Sequence, residues 1–205
     1  TSRKTKQLLR YIMIYDLNKK VDELFLTPSD INEHFPAIIK YGQQCDSITE
    51  MGVRSINSTW AWLACNAKDG LHSYDLHHPS TWDGDLQSVY DTAEAYDIKF
   101  KFTEANVLNI DIEPTDLLFL DTWHVYDQLK AELARHHKQV KKYICFHDTT
   151  SFEHHGEATT SHHDFHGELT QGKGLWDAVS EFLEEYSNEW ELVKRFTNNN
   201  GFTII

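Results

Sequence analysis

Cationic side chains are in short supply in this 205-residue chain, where 19 lysines and arginines face 32 aspartates and glutamates for a formal net charge of -13. A field of that sign repels phosphate backbones and anionic bilayers, so nucleic acid and membrane are disfavoured as partners. A small neutral or cationic ligand fits better. Cysteine is also scarce. Cys45, Cys65 and Cys145 are odd in number and have no CxxC spacing, which argues for buried thiols in a reducing compartment over a disulfide framework or a zinc knuckle. No apolar run approaches the ~20 residues needed to span a bilayer. The N-terminal TSRKTKQLLRYIMIYDLNKK is basic, but its apolar patch is too short for a signal-peptide core. A cytoplasmic protein is expected. Neither an internal repeat nor an interdomain linker is visible, so the chain reads as one domain over residues 1–205, with 1–28 as an N-terminal extension.

What is present is a well-supplied core. Hydrophobic residues make up 40% and aromatics 13% of the chain, although a mean hydropathy of -0.55 implies a wet surface. The most informative stretch is Asp116 to Thr149. Leu117–Leu120 and Tyr143–Phe146 are short continuous apolar runs, as strands buried on both faces require. Between them Val125, Leu129 and Leu133 recur every four residues, the pattern of an amphipathic helix. A strand–helix–strand crossover makes the two strands parallel. Asp121 with His124, and His147 with Asp148, then lie just past the strands' carboxyl ends, the edge where open α/β sheets bind ligands.

The rest of the chain supplies a frame. Ser29-Asp30 followed by Glu33 reads as a helix start, with Pro36 delaying or kinking the helix. Residues 47–53 read as a first strand that turns at Gly52 into a helix beginning at Ser58-Thr59, which offers free backbone N–H groups. A second strand over Leu71–Tyr74 ends at Asp75. A helix over 85–96 leads to a third strand, Lys99–Thr103, followed by Glu104-Ala105-Asn106. After the fifth strand, residues 150–174 form a polar loop too long for an ordinary connector, the size of a lid or substrate-binding insert. One more helix follows. Trp190–Phe196 and Gly201–Ile205, flanking Asn198-Asn199-Asn200-Gly201, then predict a terminal antiparallel hairpin.

Five α/β units closed by a hairpin, with Glu50-Met51-Gly52 after the first strand and Asp75 after the second, resemble the class I S-adenosylmethionine (SAM)-dependent methyltransferases over residues 30–205. Asp121-Thr-Trp-His124-Val-Tyr126 and His147-Asp148 are similar to the metal-dependent sugar O-methyltransferases and their cephalosporin-hydroxylase-like relatives. The resemblance implies a Rossmann-like, doubly wound, mostly parallel seven-stranded α/β sheet of order 3-2-1-4-5-7-6. It places Glu50, Gly52, Ser58 and Thr59 at the methionine end of SAM, Asp75 on the ribose hydroxyls, and Glu104, Ala105 and Asn106 by the adenine, with Asp121 beside the cofactor. Asp121, His147 and Asp148 would hold a divalent metal, Mg²⁺ by the hardness of oxygen donors, with His147 shifting the preference toward Mn²⁺, Fe²⁺ or Zn²⁺ if it joins. His124 would be the base that takes a proton from the acceptor hydroxyl. The resemblance has one departure: the second glycine of the turn is replaced by Ile56, between Arg54 and Asn57, which sets a side chain where backbone should meet the cofactor.

The function implied is O-methylation of a hydroxyl on a sugar or other small molecule. Two alternatives stay open: a non-catalytic binder on a degenerate fold, and a different metal-dependent hydrolase or hydroxylase. In the long loop His154, His155, His162, His163 and His166 are read as a lid contacting a sugar rather than as a second metal site. His136 and His137 are read as solvated or as facing a helix dipole.

Overall fold

Thr115–Leu120 is buried at every position and its side chains alternate between two cores. Leu117 and Phe119 join a cluster with Ile38, Trp60, Leu63 and Val89, whereas Leu118 and Leu120 join one with Leu129, Leu133, Val179 and Phe182. A strand with apolar residues on both faces needs helices on both sides. The computed structural model, which describes residues 12–157 and 165–205, shows that arrangement. The strands are β1 (Ser47–Met51), β2 (Gly70–Asp75), β3 (Phe100–Glu104), β4 (Thr115–Leu120), β5 (Val140–His147), β6 (Lys194–Phe196) and β7 (Phe202–Ile204). Their order is β3-β2-β1-β4-β5-β7-β6. The first five are parallel, and β7 runs antiparallel to β5 and β6. This is the expected seven-stranded sheet with its terminal hairpin.

Among the described residues six α-helices cover it: α1 (Leu17–Leu26), α2 (Phe35–Gly42), α3 (Asn57–Ala64), α4 (Leu86–Ala95), α5 (Tyr126–His136) and α6 (Leu175–Glu185). α1 through α4 supply residues to the first core, α5 and α6 to the second. Several expected boundaries move for local reasons. The helix expected from Ser29 begins at Phe35, after a short 3-10 turn at Asn32–His34, with Pro36 in the first turn where its missing N–H costs nothing. Ser29 Oγ accepts from the backbone N–H groups of Ile31 and Asn32 and so closes a turn rather than capping a helix. In the N-terminal extension, Leu17 is buried in the core and Asp16 caps α1 through Lys19 N. Only Lys194–Phe196 of the expected strand 190–196 pairs, while Trp190 packs against the second core.

β1 and β4 are neighbours whose connections leave in opposite directions, a topological switch that opens a cleft at the carboxyl edge.

Candidate active site

The loop after β1 carries three left-handed residues within five positions: Gly52 (φ 90°), Arg54 (φ 46°) and Ile56 (φ 64°). At Gly52 the requirement is steric as well as conformational, because a Cβ would overlap the Asp121 main-chain carbonyl. Ile56 takes the backbone shape a glycine would supply, but its side chain is buried in the first core and is not part of the crevice wall. The obstruction expected from the missing glycine is therefore not there. Asp75 holds the loop. Its Oδ2 accepts from Val53 N at 2.7 Å and Arg54 N at 2.9 Å, and its Oδ1 from His77 N at 2.9 Å. A carboxylate has about four acceptor positions, so one is left for a ligand.

Above this loop lies a crevice of about 360 Å³, within the usual range for small-molecule sites. Gly52, Asp75 and Ala105 line it on one side, Asp121, His124 and Asp148 on the other, and Trp82 stands at its edge, 42% exposed. Not every residue expected there faces it. Glu50 is fully buried, with Oε1 accepting from Ser58 and Oε2 from Thr59 and Ser73. Burial pushes this carboxyl up to about 7 against the lowering effect of the three hydroxyls. Glu50, Ser58 and Thr59 thus satisfy one another under the crevice floor and do not line it. Asn106 turns its side chain back to Leu108 N, leaving Ala105 as the member of its trio in the wall.

The expected metal-competent residues do converge. Asp121 follows β4 and Asp148 follows β5, the latter left-handed at φ 59°, a shape Asp tolerates better than most residues. His124 Nε2 lies 2.9 Å from Asp148 Oδ2 and 3.5 Å from Asp121 Oδ1. Candidate donor atoms of Asp121, His124 and Asp148 lie within 4.8 Å of one another. His147 joins from below, its Nδ1 at 3.2 Å from Asp121 Oδ1 and 3.3 Å from Asp148 Oδ2, and its Nε2 at 2.9 Å from the Asp30 carbonyl. Asp148 Oδ1 is buried without a hydrogen-bond partner. Two carboxylates, two imidazoles and an unsatisfied buried oxygen fit a divalent cation.

His124 is not placed as a free base. Its Nδ1 meets Glu157 Oε2 at 3.1 Å and its ring stacks on Phe152 with centroids 4.8 Å apart. Burial lowers its pKa, but hydrogen bonds to Asp121, Asp148 and Glu157 outweigh burial and raise it to about 12. Both nitrogens are engaged, so in this arrangement the imidazole has no lone pair for a substrate proton. His147 is likewise raised by the two aspartates despite burial, and Asp148 is lowered by the two imidazoles despite its own.

Asp30, Glu157 and Phe152, like Trp82 and Val107 in the crevice wall, are site residues that sequence reasoning did not place. Asp30 acts through a main-chain carbonyl, which no side-chain pattern signals. Glu157 and Phe152 belong to the polar loop, whose composition marked it without giving register. In that loop His154 pairs with Asp177 at 2.9 Å and His166 is exposed, while His162 and His163 lie outside the described residues. His136 and His137 are buried rather than solvated, bonded to the carbonyls of Val107 and Leu133.

No protein-family model matches the sequence, and no curated protein matches it. Solved structures match in fold. An O-methyltransferase from Bacillus cereus in complex with SAH is 13% identical with a TM-score of 0.57, the match covering 97% of this chain and 92% of that one. The O-methyltransferase TomG from Streptomyces achromogenes, involved in tomaymycin synthesis and in complex with SAM, is 12% identical with a TM-score of 0.55 over 96% and 91%. An SAH-bound methyltransferase from Podospora anserina is 15% identical with a TM-score of 0.51 over 92% and 86%.

Proposed function

We propose that this chain, whose fold is that of the class I SAM-dependent methyltransferases, is an O-methyltransferase that acts on a hydroxyl of a small neutral or cationic molecule with a divalent cation bound. The observation that carries the reading is convergence. Gly52 and Asp75 on one wall and Asp121, His124 and Asp148 on the other bound a single crevice at the β1/β4 switch.

Asp75 has one acceptor position for a ribose hydroxyl, and Ala105 and Val107 offer an apolar wall to a planar base. SAM, when bound, supplies a sulfonium methyl that an in-line oxygen nucleophile can take. Asp121 and Asp148 would hold the cation, whose Lewis acidity lowers the pKa of a bound hydroxyl. The chain's own contribution is alignment and charge: the stacked, doubly engaged His124 fixes the carboxylates, and Phe152 covers the imidazole. Glu157, at the crevice wall and outside the proposed cation ligands and the loop-holding Asp75, is the carboxylate we assign to receive the acceptor's proton. The acceptor is not a polyanion, since Asp30, Asp75, Asp121, Asp148 and Glu157 line the crevice against Arg54, itself 3.0 Å from Asp30. A sugar hydroxyl satisfies these requirements.

One observation favours a non-catalytic binder: Asp75 already spends three acceptor positions on the loop. Calorimetry separates the two readings. SAM should bind one to one, with methyl transfer from labelled SAM to a hydroxylated acceptor dependent on added cation. No heat at millimolar SAM would remove the methyltransferase reading, and binding without transfer to any acceptor tried would favour the binder.

A further inference from the structure

His124 in the crevice wall and His147 buried beside it each have one ring nitrogen fixed as a donor. His147 Nε2 sits 2.9 Å from the Asp30 carbonyl. A carbonyl only accepts, so Nε2 carries the hydrogen. His124 Nδ1 sits 3.1 Å from Glu157 Oε2, and a carboxylate accepts as well, so Nδ1 carries the hydrogen there. In the neutral form of each ring the opposite nitrogen is therefore a bare lone pair. Those nitrogens, His124 Nε2 and His147 Nδ1, both point at Asp121 Oδ1 and Asp148 Oδ2, at 2.9 to 3.5 Å. Four electron-rich atoms facing one another are reconciled by added protons or by a cation in their midst.

Three observations favour the cation. An outward N–H fixed on a carboxylate in one ring and on a backbone carbonyl in the other is the outer support that metal-bound histidines have. Asp148 Oδ1, buried and unpartnered, is an additional acceptor that protons on the two imidazoles leave unused. The four nitrogen–oxygen distances of 2.9 to 3.5 Å also fit, since adjacent ligands on a six-coordinate ion with bonds of ~2.1 Å are about 3 Å apart.

We infer that His124 and His147 are ligands together with Asp121 and Asp148, making a mixed nitrogen–oxygen centre that takes a first-row transition cation such as Mn²⁺ or Fe²⁺ in preference to Mg²⁺. Imidazole suits those ions, whereas Mg²⁺ is served by oxygen donors and retained water. The inference rests on the reading of this crevice as a methyl-transfer site only for what the centre is used for.

The test uses the full chain, stripped with chelator and titrated separately with MnCl₂ and MgCl₂ by calorimetry, followed by pulsed electron paramagnetic resonance of the Mn²⁺ form. One Mn²⁺ per chain should bind at least tenfold more tightly than Mg²⁺, with hyperfine coupling to two imidazole nitrogens. His124→Gln and His147→Gln should each remove one coupling and weaken Mn²⁺ binding at least tenfold. The wild-type spectrum decides the matter even if a variant fails to fold. Equal affinity for the two ions without nitrogen coupling would overturn the inference. So would the absence of any cation binding in a chain that still binds SAM, an outcome that leaves the methyl-transfer reading in place. Mn²⁺ held by two nitrogens in a chain that does not bind SAM would sink that reading and leave the centre standing.

Discussion

Glu50 shows how a single residue can be right in place and wrong in direction. The resemblance to methyltransferases marked this residue, near the end of β1, as a ligand group, but Ser73 on β2 and Ser58 and Thr59 on α3 claim both its oxygens. Only the pairing of β1 with β2 brings Ser73 beside Glu50, and that pairing is tertiary information. The consequence is a pH dependence with a definite sign. The folded carboxyl is raised from its ordinary 4.5 to about 7, so the folded state holds a proton that the unfolded chain has released. The stabilisation is complete below about 4.5 and is lost as pH rises through about 7, an effect on the order of 3 kcal/mol. Glu50→Gln should flatten stability over that interval and be more stable than wild type at pH 8 in urea unfolding. A persisting slope would place the titrating group elsewhere. Gly52→Ala should be the costliest of the loop substitutions, because the added Cβ meets the Asp121 carbonyl at positive φ. A loss on the order of 3 kcal/mol is expected in the same assay. Arg54→Gly should do the opposite. It relieves a left-handed residue whose side chain is 70% exposed, a gain of up to about 1 kcal/mol, with Val53 and Arg54 N–H donation to Asp75 preserved.

At the scale of elements, the turn between β6 and β7 does more than reverse the chain. Asn199 Oδ1 accepts from Glu33 N, its Nδ2 donates to Ser29 O, and Asn198 donates to Glu33. The Asn200 carbonyl accepts from Thr150 and Ser151 at the base of the long loop. The hairpin therefore pins segment 29–34, whose Asp30 carbonyl orients His147. Asn199→Ala should cost about 2 kcal/mol, from two lost hydrogen bonds and a non-glycine residue at φ 44°. It should also weaken cation binding, which Asn199→Gly, without the backbone strain, should reproduce if the lost clamp is the cause. The sheet itself was legible because β4 and β5 contain apolar runs and α4, α5 and α6 carry helical spacing, patterns that survive without tertiary context. The loop–hairpin clamp was not. It joins segment 29–34 to residues 165 or more positions away through bonds that each use a main-chain group, and no local pattern encodes such a partner. Asp121 and Asp148 could be read because strand ends fix them, whereas the engagement of His124 by Glu157 depended on where a polar loop comes to rest.

On the scale of the whole molecule, charge sets what the crevice distinguishes. The net charge of -13 and the five carboxylates lining the crevice make a negative potential that the low-dielectric walls concentrate. None of the helices among the described residues is long and apolar enough to cross a membrane. SAM carries a net positive charge through its sulfonium and ammonium groups, whereas its demethylated product has lost the sulfonium and is neutral overall. Under the proposed function the field therefore favours substrate over product, which would help the product leave. Salt screens this preference, with a Debye length near ~10 Å at 0.1 M and ~3 Å at 1 M. Calorimetry from 0.05 to 0.5 M NaCl at fixed cation should show SAM affinity falling roughly threefold more than product affinity. Neutralising the field locally should have the same effect as salt: Asp30→Asn, which leaves the main-chain carbonyl to His147, should narrow the difference between the two ligands at low salt. If both ligands weaken in parallel, or neither responds, the carboxylates of the crevice do not act through their charge and the preference for neutral or cationic acceptors loses its basis.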